Sequence, residues 1–268
     1  MRRSLTVIAG LALAACAHMQ TPPSAVVTPT LRAEFAPSGT LVAGVNLGNP
    51  VIAQKDPAGG APRGVGPELA RELARRLGVP IRYVTYESAG KMGEGMQADG
   101  WDIAFFAVDP ARAAQVDFSA PYVAIDGTYL VRSDSPLTRL DQFDRNGLRI
   151  AVGNKSAYDL WLTRNAKESE LVRVVTSQDA VDAFLAGKAD AVAGVRQALE
   201  AAGRKTPGLR VIDGAFMTIG QAASIPRSRP NASRYLNQFI EEMKASGFVA
   251  RKLKESGVEA SVVLPPLI

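Results

Sequence analysis

The sequence predicts an α/β protein whose two halves enclose a cleft, and three observations lead there. Strand-like and helix-like segments alternate along the chain, which implies parallel strands covered by helices. The segment Ala98-Asp99-Gly100-Trp101-Asp102-Ile103-Ala104 resembles Ala186-Gly187-Lys188-Ala189-Asp190-Ala191-Val192: in each, a helix stops at glycine and an aspartate opens an apolar strand. Two extended segments, Asp126 to Ser133 and Gly220 to Pro226, offer places for the chain to cross between units. Any α/β protein repeats such turns, so the repeat suggests two lobes only together with the crossings.

Taken in order, the chain opens with the positive Met1-Arg2-Arg3 and the apolar run Leu5 to Ala15, which reads as a signal peptide over residues 1–15. The run is well short of the roughly 20 apolar residues that span a bilayer. It ends in Leu13-Ala14-Ala15-Cys16, which resembles the lipobox of bacterial lipoproteins. That resemblance implies lipidation at Cys16 and a membrane anchor, the outer membrane being favoured because Ala17 is not an aspartate. Cys16 is the sole cysteine, so no intramolecular disulfide can form and stability must come from a core. Residues 16–37 are rich in Pro, Thr and Ser and read as a flexible tether.

The first lobe is expected over residues 38–126. It begins with a strand, Thr40 to Val45, and the loop Asn46-Leu47-Gly48-Asn49-Pro50. Pro67 and Glu68 mark the first turn of a helix, Leu69, Leu73 and Leu77 share one face, and Gly78 and Pro80 stop it. A strand from Ile81 to Tyr86, a helix from Ala89 to Ala98 and a buried strand from Trp101 to Val108 follow. The second lobe, 127–221, carries a strand at Leu148 to Val152, helices from Ser156 and Ser177, and a strand at Ala189 to Ala193. Residues 222–268 return to the first lobe with helices at Asn231 to Ser246 and Phe248 to Ser256.

The formal charge of +5 does not indicate a nucleic-acid partner. Acidic and basic residues alternate, as in Glu68, Arg71, Glu72, Arg75 and Arg76, and no basic stripe is interleaved with aromatics.

From about Gly39 to Gly257 the chain resembles the extracellular solute-binding proteins of ABC importers, of the polar-amino-acid type with the type II periplasmic-binding fold. The resemblance lies in GVGPELARELARRLGV, GWDIAFFAVDPARAAQVDFSAPYV, IAVGNKSAYDLWL, GKADAVAG and SGFVARKLKESG, in that order. It implies a periplasmic, monomeric binding protein in which each lobe is a mostly parallel sheet flanked by helices, the cleft between them takes a small-molecule ligand, and an ABC transporter permease is the partner. It also implies that Arg112, behind the strand and Asp109-Pro110, holds a ligand carboxylate. A guanidinium suits that role because its planar fork matches a carboxylate with two charge-assisted bonds. On composition alone Arg112 reads equally as a solvated surface arginine.

The resemblance likewise places Ser156 at a helix start that faces an anion, a role compatible with being an ordinary N-cap. Asn46 and Asn49 fall where relatives use polar side chains, although turn chemistry explains them equally well. Departures are as informative. Relatives carry an aspartate for the ligand's ammonium where this chain has Val195, followed by Arg196, so the expected ligand bears a carboxylate but lacks the usual α-amino group. Asp109 reads either as a cap on the turn at Pro110 or as a cleft-facing site for a cation or hydroxyl. Arg196 points either to solvent or to the cleft.

Three functions compete: a binding protein that closes on its solute, an enzyme of dehydratase or lyase type on the same fold, and a ligand-sensing accessory lipoprotein. The only histidine, His18, lies in the tether. Ser-His and Cys-His chemistry and histidine-based metal sites are therefore not expected, nor is a cofactor.

Overall fold

The computed structural model describes residues 26–98, 100–258 and 261–263. The signal peptide and Cys16 lie outside the described residues. In chain order the elements are α1 (Pro29–Phe35), β1 (Leu41–Asn46), α2 (Val65–Leu77), β2 (Ile81–Tyr86), α3 (Ala89–Gln97), β3 (Ile103–Ala107), α4 (Pro110–Ala113), β4 (Val116–Phe118) and β5 (Val123–Arg132). A 3-10 turn, Leu140–Gln142, leads to β6 (Arg149–Gly153), α5 (Ala157–Asn165), β7 (Glu170–Val174), α6 (Ser177–Leu185), β8 (Ala191–Val195), α7 (Arg196–Lys205) and β9 (Leu209–Val211). The chain then returns through β10 (Met217–Pro226), α8 (Pro230–Ala245), α9 (Phe248–Glu255) and β11 (Ser261–Val262).

The sheet runs β2-β1-β3-β10-β5-β8-β6-β7. Within each lobe three strands are parallel, β2-β1-β3 and β7-β6-β8. The crossing strands β5 and β10 enter from the other lobe, so they run antiparallel to their neighbours and make the sheet mixed. They pair with each other from Met217↔Gly127 to Gln221↔Val123, at the junction of the lobes.

Local sequence accounts for the elements. The face of α2 carrying Leu69, Leu73 and Leu77 is buried, and Gly78 ends the helix with φ +66°, a left-handed conformation that glycine adopts without strain. The two glycine-to-aspartate turns, Gly100 to Asp102 and Gly187 to Asp190, do one job twice. Asp102 accepts the Val42 N–H at 3.0 Å and Asp190 accepts the Arg149 N–H at 2.9 Å, so each aspartate ties the last strand of its parallel set to the first. Burial holds the Asp102 carboxyl above its ordinary value, whereas the Arg149 hydrogen bond holds Asp190 below its own.

The tether ends earlier than residue 37. Thr28 caps α1 by accepting the Leu31 N–H at 3.1 Å, with Pro29 in the first turn, and Leu31 and Phe35 are buried. Glu34 in turn accepts the Ala232 N–H at 2.7 Å at the start of α8. Spacing Leu31 and Phe35 four residues apart gives this short helix a stripe that fills the groove against Tyr235, whose ring lies 6.0 Å from Phe35. Arg76 of α2 reaches Glu242 of α8 at 2.6 Å, fixing the returning helices on the first lobe.

Candidate functional site

The lobes touch across the cleft through side chains near its rim. Asp109 of the first lobe pairs with Arg164 of α5 at 2.7 Å, and Glu94 of α3 pairs with Lys155 at 3.2 Å. Arg112 spans the cleft: its Nη1 donates to Ala107 O at 2.9 Å within its own lobe, and its Nη2 donates to Lys155 O at 2.8 Å in the other. Lys155 holds φ +56°, a left-handed conformation that costs a non-glycine residue about 1 kcal/mol. Its N–H donates to Asp159 at 2.7 Å, so its amide, carbonyl and ammonium are all engaged.

Inside this rim is a cavity of about 50 Å³. That is room for a solute of few heavy atoms. Three helix starts face it. Ser88 caps α3 by accepting the Lys91 N–H at 3.3 Å, Ser156 caps α5 by accepting the Asp159 N–H at 3.1 Å, and Ser177 is the first residue of α6. Each first turn has N–H groups that no helical carbonyl can take, and each carries the positive end of a helix dipole.

Arg112 is the one charged side chain among the described residues that line the cavity. Burial pushes its guanidinium down to about 10, against the opposing pull of Asp109, so it remains a cation at neutral pH. Its guanidinium carbon lies 5.1 Å over the Phe106 ring, which limits its swing. A cation and three helix starts, with no lining carboxylate among the described residues, make the cavity suited to an anion.

Of the residues singled out in the sequence, Asn46, Asn49, Arg112 and Ser156 line the cavity. The turn reading of the asparagines holds, and both line the cavity. Asn46 Oδ1 accepts the Gly48 N–H at 2.9 Å and Asn49 Oδ1 accepts the Val51 N–H at 3.3 Å, which orients each carboxamide at the cavity wall. Val195 is buried and lines the cavity without a charge to offer an ammonium.

Asp109 and Arg196 do not line it. Asp109 caps α4 through the Ala111 N–H at 2.9 Å and spends its second oxygen on Arg164. Arg196 is the residue after Val195, and where Val195 faces inward, Arg196 turns to Asp126 at 3.4 Å and to Gly214 O.

Sequence reasoning missed five polar residues of the site, Ser88, Asn154, Tyr158, Ser177 and Gln221. Ser88 and Ser177 carry the same signal as Ser156, a hydroxyl where a helix begins. Tyr158, in the first turn of α5, is buried, and its hydroxyl lies 2.7 Å from Ser177 Oγ, forming the wall between the cavity and a wide groove along α6 and α7. Gln221 is a lone amide in an apolar crossing strand. Val51, after the β1 loop, is buried in the core, and the aromatic surface of the cavity comes from Phe105 and Phe106 of β3, with Tyr158 of α5.

Two lobes joined by a pair of antiparallel crossing strands, with an anion-suited cavity at the junction, define a bilobed binding fold. The chain belongs to the bacterial extracellular solute-binding proteins, family 3, whose model matches residues 41–255. Comparison with the sequences of curated proteins gives no match. Among solved structures, a mutant of ArgBP from T. maritima is 23% identical, with a TM-score of 0.73 over 85% of this chain and 100% of that one. The cysteine-binding protein from Campylobacter jejuni is 20% identical, with a TM-score of 0.72 over 84% of this chain and 92% of that one. An ancestral amino acid-binding protein, a precursor of cyclohexadienyl dehydratase, is 22% identical, with a TM-score of 0.70 over 84% and 98%. These likenesses, all below a quarter identity, concern the fold.

Proposed function

We propose that this protein captures a small carboxylate-bearing solute between its lobes and delivers it, closed, to an ABC permease while anchored to the membrane by lipid at Cys16. The observation that carries this reading is the position of Arg112, whose guanidinium stands in the cavity opposite the α5 start and bonds to both lobes. A ligand that touches both lobes stabilises the closed state by contacts that only this state can make. Several neighbours of the same fold bind amino acids, among them an ArgBP from T. maritima bound to arginine. Amino acids are therefore within the ligand class, although the cavity offers no counter-charge to an ammonium.

The enzyme alternative finds less support. Among the described residues no carboxylate, lysine or histidine lines the cavity, and the Tyr158 hydroxyl, whose proton burial makes harder to remove, is engaged with Ser177. A general acid or base would need a titratable group within reach of the ligand.

Calorimetric titration of amino acids and their deaminated acids tests the proposal. Arg112→Ala should weaken binding of the true ligand by about 2–5 kcal/mol, because a desolvated charge pair loses one member. Ser156→Ala should cost about 1 kcal/mol, since the backbone donors of α5 stay in place. Unchanged affinity in Arg112→Ala would remove the carboxylate reading.

A further inference from the structure

We infer that Gln221 reads a neutral polar substituent beside the ligand's carboxylate, so that the solute is a hydroxy or oxo acid in preference to an amino acid. The inference rests on the carboxylate reading above and narrows it. Gln221 is 3% exposed, lines the cavity, and its side-chain amide has no hydrogen-bond partner among the described residues. Other buried polar side chains of the site are engaged: Ser88 and Ser156 in helix caps, and Tyr158 with Ser177. The carboxamide opens onto the cavity and is not sealed from it, so a ligand that bonds to the amide is favoured over one that sets an apolar atom against it.

Its place in the sheet fixes what it can reach. Gln221 pairs with Ala107 in the β10–β3 register, and Ala107 O is the acceptor that anchors Arg112 Nη1. The Gln221 backbone therefore runs one strand spacing, about 4.8 Å, from the backbone that holds the guanidinium, and both side chains line the same cavity. Ligand atoms within a bond or two of a carboxylate on Arg112 fall in its range.

The chemistry of that partner follows from donors and acceptors. A carboxamide both donates and accepts, which matches a hydroxyl or a carbonyl. An ammonium carries only donors and a full charge. It would meet Arg112, three helix starts and Val195, with no lining carboxylate among the described residues. Gln221 also lies on the strand that joins the lobes, at the last residue paired with β5, so a ligand bonded to it is held at the hinge from which closure proceeds.

The test is calorimetry on the full folded protein with four acids of one skeleton, propionate, lactate, pyruvate and alanine, and with the corresponding four-carbon set. Lactate or pyruvate should bind at least about tenfold more tightly than propionate, as expected where a site is built to bond the substituent. Gln221→Leu, similar in size and apolar, should bring the ratio of lactate or pyruvate affinity to propionate affinity down to about one. Gln221→Glu should shift the preference towards alanine. Melting curves confirm that each variant is folded, and Gln221→Met replaces the leucine variant if that one is not. A preference for lactate or pyruvate that survives in Gln221→Leu overturns this inference and leaves the carboxylate reading intact. Tighter binding of alanine by the unaltered protein also overturns it. Failure of every acid in both sets, with other solutes binding, overturns both.

Discussion

Asp109→Asn separates a residue that contacts ligand from one that controls closure. Asn keeps the side-chain oxygen that accepts the Ala111 N–H at 2.9 Å, so α4 and the position of Arg112 should survive the change. What is lost is the 2.7 Å ion pair with Arg164 across the cleft. Asp109 is buried but Arg164 is 43% exposed on its side chain, so solvent screens the pair. A charge-assisted bond of this kind, discounted for that exposure, contributes about 1 kcal/mol. In an opened cleft the two groups separate into water, and the whole loss falls on the closed state. The closure equilibrium should therefore move by about fivefold, and affinity should fall by up to that factor for acids and amino acids alike, least for anionic ligands, which gain from the loss of the Asp109 charge near Arg112. Calorimetry across acids and amino acids measures the affinity, and small-angle scattering follows the radius of gyration without ligand. Loss of binding confined to ammonium-bearing ligands would refute the latch and place Asp109 against the ligand. Equal affinities in both proteins would mean that the pair contributes nothing to closure.

Two further predictions concern pH and attachment. Arg149 lowers the Asp190 carboxyl below its ordinary value, so its stabilising effect is present above that value and lost as pH falls through its folded-state pKa; burial raises Asp102, so its charge costs stability that is recovered as pH falls through its own. In urea unfolding between about pH 7 and pH 3, the difference between the wild type and Asp190→Asn should shrink on acidification, while that for Asp102→Asn should change with the opposite slope; equal slopes would refute the assignment. Cys16→Ser should release the protein from the membrane fraction, and retention with an unchanged detergent requirement would remove the lipid anchor.

Local chemistry made much of the fold legible. The stripe of Leu69, Leu73 and Leu77, the glycine stop at Gly78 and the two turns from glycine to aspartate are each decided by neighbouring residues, and all appear as read. The short helix α1 was also encoded locally, by Thr28-Pro29 and the pair Leu31 and Phe35, but seven residues are too few to be stable alone, and its apolar stripe gains meaning only against α8. The strands β7 and β9 escaped for a similar reason. Half-buried edges of a sheet carry a weaker alternation than its centre.

At the site, the sequence by itself determined which chemistries are present: one arginine behind a strand, hydroxyls at helix starts, and an apolar Val195 where a counter-charge would otherwise stand. Only the tertiary structure decided where each side chain is spent. Asp109 could have met a ligand, but Arg164 lies 55 residues away in the chain and 2.7 Å away in space, and takes its carboxylate. Arg196 could have entered the cleft, but Asp126 and Gly214 hold it outside. Gln221 is one amide in an apolar crossing strand, and only the assembled sheet sets it beside Ala107 at the cavity wall. Partners that are distant in sequence cannot be read from local pattern. They are fixed when packing chooses among several hydrogen-bonding arrangements of similar local energy, and here that choice assigns Arg112 to the cavity and Asp109 to the latch.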